Sequence, residues 1–248
     1  MKNKFLKLLI KIFVPLFFWL GVWHVLSIII DNSFLLPGIS ETFNELFDLL
    51  QTKKFYLAVI YSTTRVMIGL SLGIVLGLLI GALCHISKIA SSLILPAMTV
   101  IKSTPVASFI IVLWVLMSGD ALSILIGFLM VMPIIAQTTI DGLSSIDPGL
   151  MEVAEVFNFS LLKRLKLLII PSLKKFVLPA IITATGLAWK AEIAAEIIAY
   201  TKNSIGQGIN DAKYVLNTAQ VFAWTIIIIA FSIILEKVAK IIFGRNRV

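Results

Sequence analysis

The sequence predicts an all-α integral membrane protein with six transmembrane helices and both termini in the cytoplasm. Three observations carry this. Of its 248 residues, 59% are hydrophobic and 14% charged, and the mean hydropathy is +1.04. Soluble domains hold about 45–50% apolar and about 25% charged residues. Six apolar runs come near the roughly 20 residues that cross a bilayer as a helix: 9–30, 58–84, 93–117, 121–141, 176–200 and 219–243. Finally, the basic residues outside these runs are unevenly shared. With the N-terminus inside, the cytoplasm receives Lys2, Lys4, Lys7, Lys88, Lys163, Arg164, Lys166, Lys174, Lys175, Arg245 and Arg247. The outside receives Lys53, Lys54, Lys202 and Lys213. Eleven against four fixes the orientation by the positive-inside rule.

The first run follows a basic start like that of a signal peptide. Its apolar part is too long for one, so residues 1–34 read as a retained span. Segment 31–57 is then external. Phe43, Leu46, Phe47, Leu49 and Leu50 share a helical face there, which predicts a helix lying at the membrane interface. The second run holds Gly69, Gly73, Gly77 and Gly81. Four glycines at four-residue spacing make a smooth strip that another helix can approach closely, within the chain or between subunits. Pro105 and Pro133 remove backbone donors from runs three and four and should bend them. Residues 56–243 form the core unit.

Several function classes are disfavoured. The net charge of +8 sits at the ends of apolar runs, where it orients the protein and does not suggest nucleic acid. Cys84, His24 and His85 are too few for a metal site. No G-x-x-x-x-G-K-[ST] sequence occurs, so the chain has no P-loop to cradle ATP phosphates. No constellation of nucleophile, base and metal ligands suggests an enzyme.

The longest cytoplasmic loop lies between runs four and five. Asp147 is a plausible N-cap with Pro148 at the first helical position, and Glu152 and Glu155 fall early, where the helix dipole favours acids. Leu150, Val153, Ala154 and Phe157 form an apolar face. Asn158 suits a left-handed helix stop. Ser160 can cap a second, basic helix over 161–169, which Pro171 should end. A short helix offering Val153, Ala154 and Phe157 to the cytoplasm is an apolar knob, either for a partner's groove or for the membrane surface.

This loop resembles the EAA motif of ABC importer permeases: Glu-Ala-Ala, three residues, Gly, nine residues, Ile-x-Leu-Pro. Here it reads Glu152-Val153-Ala154, then Asn158 in the glycine position, then Leu168-Ile169-Ile170-Pro171. The stretches "IKSTPVASFIIVLWVLMSGD", "GLAWKAEIAAEIIA" and "SIGQGINDAKYVLNT" are similar in order and spacing to the nitrate, sulfonate and taurine permease group, and the likeness covers roughly 35–240. The resemblance implies a type I ABC importer permease fold in the cell membrane. It also implies that the first loop helix, 150–160, docks on a cytoplasmic ATPase. Two such ATPase subunits would carry the ATP and Mg, a second permease copy would complete the path, and an extracytoplasmic binding protein would deliver a small polar solute. Residues 201–218, with Gly206, Gly208 and a helix over 209–216, would contribute to the outer gate. The alternative is an ion-coupled secondary carrier or a channel.

Charges within the runs matter to either reading. Lys102 lies in run three, and Lys190, Glu192 and Glu196 lie in run five. A charge at the bilayer centre costs at least about 2.5–3.5 kcal/mol, so each should face a partner or a water-filled space. Glu192 and Glu196, four apart, share a face. Lys190 falls on another. Lys102, or charges of the second subunit, are the expected partners of the two acids. The four either line the translocation path or form a packing network of ion pairs. Arg65, near the outer end of run two, should reach for the interface.

Overall fold

The computed structural model describes residues 2–244, with side-chain surroundings from residue 13 onward. Arg245 and Arg247, and the side chains of Lys2, Lys4 and Lys7, lie outside the described part. The described residues form helices joined by short connections: α1 (Lys2–Ile30), α2 (Ile39–Leu50), α3 (Lys53–Ile86), α4 (Lys88–Ser103), α5 (Val106–Trp114), α6 (Asp120–Ser144), α7 (Pro148–Val156), α8 (Leu161–Arg164), α9 (Ile170–Ile198), α10 (Ile205–Tyr214) and α11 (Thr218–Gly244). A π-helical turn, Leu165–Ile169, joins α8 to α9.

Four helical stretches are long and apolar enough to cross a membrane: α1, α3, α6 and the continuous stretch 161–198. The bent pair α4–α5 can serve as a fifth. The sixth apolar run lies on α11, whose 27 residues span roughly 40 Å at 1.5 Å per residue. The amphipathic segment after α1 is α2, as its periodicity implies. The Glu41 carboxylate accepts from the Gly38 backbone N–H and closes the start of that helix.

The packing is built on α3 against α6 and α6 against α9, with α10 and α11 laid on α9. The glycine strip is the reason for the first contact. Gly69, Gly73, Gly77 and Gly81 are all buried and all meet α6. A Cβ on Gly77 would stand 2.8 Å from the Ile135 Cβ and 2.9 Å from the Met132 carbonyl oxygen. The seam is therefore internal to the chain. Trp189 fills the α9–α11 contact, and its indole donates to the Ile228 carbonyl at 3.0 Å. The attachment of α1 is lighter. Trp23 donates to the Pro37 carbonyl at 3.0 Å and packs on Phe222, while Phe17 and Trp19 stay exposed.

The prolines depart from expectation in instructive ways. Run three is not one straight span. Its two helices meet at 102°, because Pro105 forces Thr104 into extended backbone, ψ 132. Pro171 does not end its helix. The π-helical turn just before it shifts the register, so that the Ile170 N–H reaches the Leu165 carbonyl. This wider turn accommodates the proline ring and its missing donor. Pro133 lies inside α6, which runs through it unbroken. The external helix expected at 209–216 starts earlier, at Ile205, because the Ser204 hydroxyl caps it by accepting from the Gln207 N–H.

Candidate functional site

The loop between α6 and α9, expected on the cytoplasmic side, forms α7, a helix of 9 residues held at both ends by its own side chains and turns. Asp147 Oδ1 accepts from the Gly149 N–H at 2.8 Å, and Pro148 occupies the first turn. At the other end Asn158 takes φ 47. The Asn158 N–H then reaches the Glu155 carbonyl at 2.9 Å and the Phe159 N–H reaches the Ala154 carbonyl at 2.8 Å. These two bonds are the Schellman closure that a left-handed residue permits. Ser160 begins the next helix, accepting from the Lys163 N–H. The Lys163 ammonium lies over the Phe159 ring, 3.8 Å from its centroid, and Arg164 donates to the Phe159 carbonyl. The turn is thus locked from both sides.

The apolar knob differs from expectation at one residue. Ala154 is wholly buried, at 0% exposure, so it anchors α7 and is not offered to the cytoplasm. The presented face is Leu150, Val153, Val156 and Phe157, the last two 77% and 70% exposed. Glu152 and Glu155 are exposed beside it. Side chains four apart along a helix stand on one face, and Leu150–Ala154 is such a pair. Ala154 is nevertheless buried while Leu150 stays out.

The charges within the membrane-spanning runs fall into two groups. In the interior, the Arg65 guanidinium binds Glu196 Oε1 at 2.9 Å and Asp120 Oδ1 at 2.7 Å. It also donates to the Lys202 and Asn203 carbonyls. Glu196 Oε2 accepts from the Ser62 hydroxyl at 2.8 Å and from the Gly206 N–H at 3.3 Å. Ser62 in turn accepts from the Ile205 N–H. One cluster therefore ties together α3, the starts of α6 and α10, and the end of α9. Arg65 is buried, at 4% exposure, and it, rather than Lys102 or a second subunit, is the cation paired with Glu196. Burial of an ion pair is tolerable when further hydrogen bonds satisfy both groups, and these do. Glu192, at 0% exposure, fits into the notch left by Gly69 and Gly127, where neither glycine has room for a Cβ. Among the described residues neither of its oxygens has a hydrogen-bond partner.

The second group is Lys102 and Lys190. Both are exposed, and together they line a cavity of about 500 Å³ between α4, α5, α6 and α9. The different face of α9 expected for Lys190 is this one. The structure thus brings the acids together in one place and the two lysines together in another, not all four around one point. Sequence reasoning passed over Ser62, Asp120 and Gly127, and gave Gly206 no part in holding Glu196. Ser62, Arg65 and Gly69 recur at i, i+3 and i+7, and that face of small and polar residues was the available signal.

A family model described as binding-protein-dependent transport system inner membrane component matches residues 73–248. Among curated relatives, the nitrate import permease protein NrtB of Synechococcus elongatus is 31% identical over 225 residues, covering 85% of this chain and 79% of its own. The putative aliphatic sulfonates transport permease protein SsuC of Bacillus subtilis is 29% identical, covering 67% and 60%. The taurine transport system permease protein TauC of Escherichia coli is 22% identical, covering 86% and 80%. The fold also matches solved structures. The MetNI methionine ABC transporter in inward-facing form superposes with a TM-score of 0.66 at 13% identity, over 77% of this chain and 95% of that one. A bacterial ABC transporter for import of the polysaccharide alginate gives 0.64 at 14% identity, over 99% and 94%. With more than two thirds of its length matched to the family, this all-helical, multi-pass membrane chain belongs to the inner membrane components of binding-protein-dependent transport systems, and is an ABC importer permease.

Proposed function

We propose that the chain is the translocating subunit of an ATP-driven importer, taking a small polar solute from an extracytoplasmic binding protein into the cytoplasm. In this reading it crosses the cell membrane six times, with α1 (within residues 1–34) as a peripheral span and 56–243 as the core. The bent pair α4–α5 and α11 supply the fifth and sixth crossings, and the bias of basic residues places both termini inside. A second copy of the chain completes the path. Two separate ATPase subunits hold ATP and Mg, and α10 with its flanking turns faces the binding protein. The relatives named for nitrate, aliphatic sulfonates and taurine support a small polar cargo.

The observation that carries this reading is α7. It is short, closed at both ends, joined to the rest by the turn at Asn158, and its solvent face pairs four apolar side chains with Glu152 and Glu155. Such a helix suits insertion into a groove on another protein, and the EAA-like spacing from Glu152 to Pro171 agrees. Its two ends are rigid, so a push on α7 is delivered through α8 and the π-helical turn into α9.

The test uses the permease co-expressed with its ATPase. Glu152→Lys and Phe157→Asp each change only exposed atoms. Both variants should reach the membrane in normal amount, lose co-purification with the ATPase, and lose uptake. Normal uptake in both overturns the reading. Ala154→Asp is unsuitable as a docking test, because Ala154 is buried and the substitution would unseat α7 itself.

A further inference from the structure

We infer that the cavity holding Lys102 and Lys190 is a binding site for a small organic anion with an apolar body, and that the cargo is of this class. The inference rests on the transport reading above and narrows it. Mixed charge signs along run five leave the cargo's charge open in the sequence. The fold separates the signs. Glu196 is consumed by Arg65, Ser62 and Gly206, and Glu192 is enclosed by Gly69 and Gly127. Neither carboxylate lines the cavity. What remains there is two ammonium groups, Lys102 from the last turn of α4 and Lys190 from α9.

The walls are aliphatic: Val106 at the start of α5, Leu129 and Ile134 of α6, Leu187 and Ala191 of α9. Among the described residues neither lysine has an ion-pair partner. Two unpaired cations bordering one space between apolar walls repel each other, so an anion entering it is attracted by both charges and relieves that repulsion. The lack of neutral hydrogen-bonding side chains on the walls sets the second half of the inference. A bare inorganic ion would leave the aliphatic walls facing nothing, whereas a solute with one anionic head and a hydrocarbon or aryl body satisfies both. A volume of about 500 Å³ lies within the usual range for small-ligand sites, about 300–1,000 Å³. The break at Pro105 contributes directly, because it turns α5 away from α4 and lets Lys102 and Val106 border the same space.

An anionic lipid headgroup shares this chemistry, so the experiment separates it from a soluble cargo. The purified importer, permease with its ATPase and without nucleotide, is placed in phosphatidylcholine nanodiscs and titrated with para-trifluoromethylbenzenesulfonate by fluorine NMR. Para-trifluoromethylbenzenesulfonamide, similar in shape but neutral, is the control. Saturable binding of the sulfonate, about tenfold or more tighter than the sulfonamide, is expected. The double variant Lys102→Gln/Lys190→Gln should bring the sulfonate to the level of the sulfonamide, and Lys102→Arg/Lys190→Arg should largely restore it. Equal binding of the two probes, or unchanged sulfonate binding in the glutamine variant, overturns the proposal. So does displacement of the sulfonate when phosphatidylglycerol is added to the discs, which would assign the lysines to lipid. The glutamine variant should still co-purify with the ATPase, so failure here is distinct from failure of the coupling reading.

Discussion

The buried cluster around Arg65 and the α7 loop use charge in opposite ways. At the junction of α3, α6, α9 and α10, Arg65 and Glu196 are buried and their charged groups are met by hydrogen bonds and ion pairs within the chain. On α7, Glu152 and Glu155 are exposed and have no partner among the described residues. The first arrangement fixes helices to one another; the second leaves a recognisable surface for something else. A charge in a greasy sequence therefore has no single meaning. Its burial and partners decide whether it belongs to the scaffold or to an interface.

The sharpest way to break this comparison is at Arg65. Arg65→Met leaves Glu196 buried without its cation and frees Asp120 and two carbonyls. Removing one partner of a buried pair costs about 3–5 kcal/mol, a large part of a typical stability of 5–15 kcal/mol. Membrane abundance and thermal stability in detergent should both fall sharply. Normal abundance with altered uptake would instead mark Arg65 as part of the path. The seam beneath is nearly as sensitive. Gly77→Leu must push α3 off Ile135 and Met132, and overpacking of this kind typically costs about 1–3 kcal/mol or more. A loss of abundance with ATPase association preserved in the remaining protein is expected. The opposite pattern would place the seam outside the subunit core.

At α7 the effects should appear in association rather than in stability. Asp147→Ala removes the cap on α7, worth about 1 kcal/mol. Melting temperature should barely move, because α7 packs little. Co-purification with the ATPase should weaken, by roughly fivefold if the whole cost appears as disorder of the free helix.

The same contrast explains what the sequence disclosed. Local chemistry was legible. Asp147, Asn158 and Ser160 act through neighbours within a few residues, and each does what its type suggests. The glycine strip was legible because its spacing is the packing rule itself. What needed the structure was non-local. Arg65 and Glu196 are 131 positions apart, and nothing in either neighbourhood names the other, so Lys102 looked equally suitable. Ala154 reads as exposed from periodicity alone, yet it is buried. Pro105 and Pro171 are the same residue type with opposite results. One meets a normal α-helix and breaks it. The other follows a π-helical turn, for which "LKLLI" carries no evident sequence mark.

The smallest expected effect is that of Asn158→Gly, which restores the glycine of the EAA pattern that the loop resembles. At φ 47 a residue with a Cβ is strained, by roughly 1–2 kcal/mol for ordinary side chains. Asparagine is eased because its short polar side chain can bond locally, so Asn158→Gly should change stability by less than about 1 kcal/mol. Because the Schellman bonds from Asn158 and Phe159 involve only backbone atoms, the glycine variant keeps them. ATPase association and uptake should match the parent within error. Asn158→Val keeps the length of the chain but places a β-branched residue in the left-handed region, the least tolerant combination. It should open the turn, release Ala154 from its burial and lower association by tenfold or more. If glycine and valine behave alike, the turn does not position α7, and the difference between the rigid buried cluster and the docking helix is one of exposure alone.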